Sequence, residues 1–269
     1  METTSKRRED FDMTLDQPQK WLREEIQKVL VEWVEGRKSR NYWREPLVAI
    51  ASATDPLFGE LRKVIDPEHA MPEDLLPGAQ SVIVFFLPFL QWVGEENDRA
   101  EVYAARSWAE SYTTTNRLIQ TINAHLKARL EEAGYLSAIT PATHNFDEKK
   151  LISLWSHKHL GYIAGLGTFG CHHLLITAAG CCGRLGSLIT SMPLSPTRRP
   201  AAEFCLVKAG RECYACVSKC SYEALLEDEY DRHRCYEQCL TNDKYYSDLP
   251  LVDVCGKCAC EVPCSYRIP

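Results

Sequence analysis

The last 65 residues of this chain hold ten of its thirteen cysteines, and their spacing limits what that end can become. Cys213, Cys216 and Cys220 form a C-x2-C-x3-C run, Cys235 follows, and Cys255 and Cys258 make a second Cys-x-x-Cys. Cys205, Cys239, Cys260 and Cys264 complete the set. Iron–sulfur clusters, zinc and disulfides are three uses for such a segment. Residues 1–12 are polar and carry no apolar stretch of an export signal, so the expected compartment is the cytoplasm. Disulfides are rare there, and clustered cysteines usually bind metal.

Zinc and iron–sulfur clusters differ in what they ask of the spacing. A structural zinc site takes four ligands, commonly two Cys-x-x-Cys hooks roughly 15–20 residues apart. Cys216 and Cys255 are 39 positions apart, and one zinc would leave several cysteines unused. The bacterial ferredoxin run is C-x2-C-x2-C-x3-C-P, with its last cysteine ligating the other cluster. Cys213, Cys216 and Cys220 fit its last three positions. The first falls on Gly210, which has no ligand atom, so Cys205 is the expected stand-in. Ser221 replaces the proline.

The 269 residues suffice for one large domain or a medium domain with a small one. Pro193, Pro196 and Pro200, set among Ser, Thr and Arg, mark a linker that divides residues 1–200 from 201–269. A net charge of −6 argues against a broad nucleic-acid-binding face. The longest apolar run, residues 82–93, is too short to span a bilayer and contains Pro88. No membrane partner is expected.

Periodicity predicts helices over 18–36, 57–65, 107–133 and 151–164, with Gly134 capping the third. Strands are expected at 47–53, 81–87, after Gly134, and at 174–177 and 188–190 around a turn at Gly183. This mixture is α+β. Gly165-Leu-Gly-Thr-Phe-Gly170 matches the dinucleotide pattern G-x-G-x-x-G but fails its context. It follows a helix, and no Asp or Glu occurs from Lys149 to Ala202 to bind a ribose. That acid-free interval carries Lys149, Lys150, Lys158, Arg184, Arg198 and Arg199 with four histidines. Such a charge balance favours an anionic ligand, unless the glycines only make turns and the histidines only face water.

Three segments together resemble the epoxyqueuosine reductase-like iron–sulfur proteins, relatives of the corrinoid reductive dehalogenases. They are Leu76-Pro-Gly-Ala-Gln-Ser-Val-Ile-Val-Phe, the stretch from Ser156-His-Lys-His-Leu-Gly-Tyr to Arg184-Leu-Gly-Ser-Leu-Ile-Thr, and the cysteine block. The resemblance implies a nitroreductase-related cofactor domain followed by a small two-cluster ferredoxin-like domain. It implies one [4Fe–4S] cluster on Cys205, Cys213, Cys216 and a far-end cysteine, with the other on Cys220, Cys235, Cys255 and Cys258. Val262 stands where the far-end ligand should be, so Cys264 or Cys260 replaces it, with Cys264 preferred for its longer return path.

The same resemblance implies a corrinoid (cobalamin) against Gly165, Leu166, Gly167 and Gly170, with Lys158 and Arg184 nearby. Asp147, His157 and Tyr162 are the candidates for proton delivery. The family's proton-donating acid aligns near Leu151, and its Gly-Lys is Gly170-Cys171 here. No helical-repeat tail follows Pro269, which with the charge of −6 makes transfer RNA an unexpected partner. The expected function is reduction of a small substrate by electrons taken from a redox partner protein. The alternatives are an electron carrier or reductive activator, an epoxyqueuosine reductase acting on transfer RNA, and a zinc-stabilised binding module.

Overall fold

A computed structural model describes residues 17–37, 40–140 and 146–269. Helix α1 (Pro18–Arg37) opens the described chain, and β1 (Leu47–Ser52), α2 (Leu57–Val64) and the single turn α3 (Pro72–Leu75) lead to β2 (Ser81–Pro88). After β2 come α4 (Gln91–Arg99), the long α5 (Arg106–Glu132), β3 (Ser137–Ile139), β4 (Phe146–Asp147) and β5 (Ile152–Ser153). Helix α6 (His157–Ala164), β6 (Gly167–Phe169), β7 (Leu175–Thr177) and β8 (Gly183–Thr190) complete the first part. The cysteine-rich segment adds α7 (Ala215–Ser218), α8 (Arg232–Tyr245) and a 3-10 turn at Lys257–Ala259.

All eight residues of β2 are buried, as expected of an apolar β-branched and aromatic run. It pairs antiparallel with β1 and β8, and the sheet order is β1-β2-β8-β3. Alternation along the strand supplies two cores. Ile83, Phe85 and Leu87 pack with Leu22, Ile26 and Leu30 of α1 and Leu118, Ile122 and Leu126 of α5. Val82, Val84 and Phe86 pack on the other face with Phe58 of α2, Trp155, and Leu160 and Ile163 of α6. Each such fully buried side chain contributes about 1.5–3 kcal/mol. The chain is therefore α+β, an antiparallel sheet covered by helices on both faces.

The proline-marked stretch does more than link. Thr197 N donates to Ile50 O at 2.8 Å and Ile50 N donates to Thr197 Oγ1 at 2.9 Å, which covers the open edge of β1. The cysteine-rich segment shares the first core, since Cys205, Ala259 and Cys260 pack within it. Two buried asparagines fix the Cys255 hook. Asn97 Nδ2 donates to Cys255 O at 3.0 Å, and Asn242 Nδ2 donates to Val254 O at 2.8 Å. Lys257, also buried, donates to the carbonyls of Asn97 and Ala100 at the C-terminal end of α4, where a cation is favoured.

Two local expectations are corrected. The helix read over 151–164 begins only at His157, because Leu151 adopts φ 52° and Ser153 Oγ accepts from the Trp155 amide, forming a turn after β5. Strands β7 and β8 do not flank one turn: β7 pairs with β6, and β8 starts at Gly183 and pairs with β2. The sequence reading gave no helix at α4 or α8. The fourteen residues of α8 present no apolar stripe, although Asp231 caps it by accepting from the amides of His233 and Arg234.

Candidate metal centre and adjoining cleft

None of the thirteen cysteines is in a disulfide. They fall into three sets. Cys171, Cys205, Cys213, Cys216 and Cys264 wall one small pocket together with His172. The sulfurs of Cys171 and Cys205 are 3.8 Å apart. Burial opposes ionisation of Cys205, yet hydrogen bonds from the amides of Lys208, Cys171 and Val207 and from the Cys171 thiol bring it below the ordinary thiol range. Cys216, by contrast, is pushed up to about 12 by burial and by the neighbouring sulfurs of Cys264, Cys171, Cys205 and Cys213.

The second set is Cys220, Cys235, Cys239, Cys255 and Cys258. Cys235 and Cys239 lie one turn apart on α8 and hydrogen-bond to each other. Cys255 is pushed up to about 12 by burial and by Cys235 and Cys220, while Cys258 is raised by burial and by Cys255 and Cys235. The third set, Cys181, Cys182 and Cys260, is buried in the first core. Cys182 donates to Ala259 O at 2.9 Å, and Cys260 accepts from Asn97 Nδ2 at 3.4 Å.

Among the described residues, the trio of potential ligands lying within 4.8 Å of one another is His172, Cys181 and Cys264. The two five-cysteine sets are thus spread wider than a single ion requires. Gathering this many thiols makes each other's ionisation costly, and a positively charged metal core relieves that cost. Soft thiolates in such a wide cage suit an iron–sulfur cluster better than one zinc.

A cleft of about 1110 Å³ lies beside both sets. Cys171 borders it from the first set, and Cys235 and Cys239 border it from the second. Its other walls include Leu151, Trp155, His157, Lys158 and His159 on one side and Tyr230, Arg232 and Tyr236 on the other. Burial and the Lys158 charge hold the His159 imidazole down to about 4.

The residues singled out from the sequence separate in space. His157, Lys158 and Gly170 border the cleft. His157 Nδ1 lies 3.1 Å from Ser187 Oγ, which also accepts from Trp155 Nε1 at 3.1 Å. Asp147 is exposed outside the cleft lining, and its Oδ1 accepts from the amides of Lys149 and Lys150 at 2.8 Å each. Those two bonds hold its carboxyl below the usual range. Tyr162 packs against Phe169 with ring centroids 5.7 Å apart. Arg184 donates to Asn116 Oδ1 at 2.7 Å and lies over the Tyr112 ring, away from the cleft.

The glycine pattern belongs to the protein's own packing. Gly165 is the left-handed C-cap of α6 at φ 88°. Gly167 begins β6, and a β-carbon there would fall 1.8 Å from Ile176 O. Neither these two nor Leu166 borders the cleft. The sequence reading assigned no role to Cys171 or Cys239. Cys171 stands 34 positions before Cys205, outside any ligand spacing, and the Gly170-Cys171 departure was its one signal.

No protein-family model and no curated protein sequence matches the chain. Solved structures do. A selenomethionine-labelled epoxyqueuosine reductase matches with a TM-score of 0.52 at 16% identity, over 89% of this chain and 66% of its own. The epoxyqueuosine reductase of Bacillus subtilis matches at 0.53 and 16%, with the same coverages of 89% and 66%. The catabolic reductive dehalogenase NpRdhA matches at 0.57 and 17%, over 82% of this chain and 30% of that one. The chain thus spans just under two thirds of the reductases' length and under one third of the dehalogenase's. At these identities the likeness is one of fold, and the fold of this chain is the one shared by epoxyqueuosine reductases and reductive dehalogenases.

Proposed function

We propose that this chain is a cytoplasmic iron–sulfur oxidoreductase. A nitroreductase-related cofactor domain would occupy residues 1–200 and a two-cluster ferredoxin-like domain 201–269. The observation that carries this reading is the pair of wide thiol sets meeting one cleft. Cys205, Cys213, Cys216 and Cys264 would hold one [4Fe–4S] cluster, and Cys220, Cys235, Cys255 and Cys258 the other. Cys264 is preferred to Cys260 because it walls the pocket, whereas Cys260 is fully buried against Asn97.

Bound clusters supply one-electron transfer, and a bound corrinoid supplies the reduction itself. The cleft exceeds the roughly 300–1,000 Å³ of ordinary small-molecule sites, which leaves room for so large a cofactor. Gly170 would lie against it and Lys158 borders the same cleft, while Gly165, Leu166, Gly167 and Arg184 are occupied within the protein. His157 is the best placed of the three proton-delivery candidates. Ser187 Oγ lies 3.1 Å from its Nδ1 and fixes the ring at the wall of the cleft, where an imidazole can act as acid or base. Electrons would come from a redox partner protein, and the substrate would be a small molecule.

Leu151 borders the cleft where the family's acid would align, which favours a second reading as an electron carrier or reductive activator. Anaerobic purification followed by electron paramagnetic resonance and cobalamin titration tests both. Two reduced-cluster signals with stoichiometric cobalamin binding and turnover support the enzyme. Clusters without cobalamin affinity or turnover support the carrier, and absence of clusters rejects both.

A further inference from the structure

His173 holds a backbone conformation that a side chain resists, with φ 59° in the left-handed region. Its amide donates to Gly170 O at 3.0 Å, and its ring stacks on Tyr230 with centroids 4.6 Å apart and planes 20° from parallel. Strain of this kind gathers at ligand sites, and here it presents a flat aromatic surface to the cleft.

Positive charge converges on the same point. Lys158 Nζ donates to His173 O at 3.2 Å. Partial burial and the charges of Lys158, Lys208 and Arg232 together disfavour protonation of the His173 ring. Lys158, Lys208 and Arg232 all border the cleft, and among the described residues no carboxylate lies within ion-pair distance of any of them. The cleft's own acids, Glu227, Asp228 and Glu229, sit on the turn closed by Leu226 N donating to Glu229 O. Arg232 acts through its side chain, because Asp231 already caps the amides at that helix end. The Cys235 sulfur offsets part of the Lys158 charge while Arg232 opposes it, and an anion among Lys158, Lys208 and Arg232 removes the repulsion that remains.

We propose that the cleft binds a planar anion, its carboxylate or phosphate held by Lys158, Lys208 and Arg232 and its flat body lying against the His173–Tyr230 stack. This names the substrate class for the oxidoreductase proposed above and rests on the cleft being its reaction site.

Calorimetric titration of the full, anaerobically purified chain with phenyl phosphate, benzoate, inorganic phosphate and phenol tests it. At least one of phenyl phosphate and benzoate should bind about tenfold more tightly than inorganic phosphate and than phenol, and the preferred one tells a phosphate site from a carboxylate site. Lys158→Gln and Arg232→Gln should each weaken that binding about tenfold, the scale of a lost hydrogen bond to a charged group. Tyr230→Ala should abolish the advantage over inorganic phosphate and leave phosphate binding itself unchanged. Circular dichroism shows whether each variant is folded. No binding, binding no tighter than phenol or phosphate, or full affinity in folded Lys158→Gln and Arg232→Gln overturns the proposal. Iron and sulfide are measured on the same sample. Missing clusters with intact anion binding would sink the redox reading and leave the anion site standing.

Discussion

His172 Nε2 lies 3.4 Å from the sulfur of Cys264, while the same ring's Nδ1 accepts from the Leu174 amide at 3.1 Å. A nitrogen accepting a backbone N–H carries no proton, so the neutral ring bears its hydrogen on Nε2 and donates it to the sulfur. A metal ion bound at Nε2 would need the lone pair that this tautomer lacks. The tight trio of His172, Cys181 and Cys264 is therefore better read as a buried N–H···S contact than as a third metal site. The ring is held in place by packing, since a β-carbon on Gly170 would fall 2.4 Å from it.

Hydrogen bonds to cluster sulfurs help set the reduction potential. If Cys264 ligates the first cluster, His172→Leu should lower that cluster's potential, because the donor stabilises the more negative reduced state. A hydrogen bond to a charged acceptor contributes about 1.5–3 kcal/mol. At 59 mV per tenfold for one electron, the expected fall is on the order of 60 mV or more. A redox titration followed by electron paramagnetic resonance reads it, and His172→Gln, which keeps an N–H, should recover part of the shift.

The ligand assignment makes a separate demand. Cys264→Ser should reduce bound iron from about eight to about four per chain, whereas Cys260→Ser should leave it unchanged. The reverse result would move the far-end ligand to Cys260.

Glu25 ties α1 to α5 through His125 at 2.7 Å and Arg129 at 3.3 Å, with Lys28 at 2.5 Å. Burial alone would raise its carboxyl, but hydrogen bonds from Lys28 and His125 and the Lys28 and Arg129 charges bring it below its ordinary value. Its folded value being the lower one, its contribution is full above the unfolded value and is lost as pH falls through the folded value. Glu25→Gln should cost about 2 kcal/mol at neutral pH, and the gap from wild type should close in acid. Denaturant melts across pH measure both.

His159 acts in a neighbouring window. With its folded value near 4 and an unfolded value of about 6.5, the unfolded chain binds the extra proton between those limits. Stability should therefore decline as pH falls from about 6.5 to about 4. His159→Gln should flatten that part of the profile of thermal midpoint against pH.

How much of this was legible in the sequence depended on whether the signal was local. Strand β2 and helix α5 were read within a residue or two, because burial imposes a run on one and a 3.6-residue stripe on the other. Helix α8 was not read, because its fourteen residues carry no apolar stripe and the side chain it buries is Asn242. The tail cysteines declared themselves by spacing. Cys171 did not, since only the folded chain brings it to 3.8 Å from Cys205. The cleft was hidden for the same reason: its walls come from β4–α6, the stretch around Cys171, and α8 with the turn before it. The G-x-G-x-x-G match failed its context in the sequence, and in the fold Gly165 caps a helix, Gly167 allows a tight strand pairing and Gly170 borders the cleft.

The most direct test of the two-cluster reading is the iron, sulfide and zinc content of the anaerobically purified full chain. About eight irons and a matching amount of acid-labile sulfide per chain, with little zinc, are expected. One tightly held zinc and no iron, or thiols fully free of metal, would contradict it.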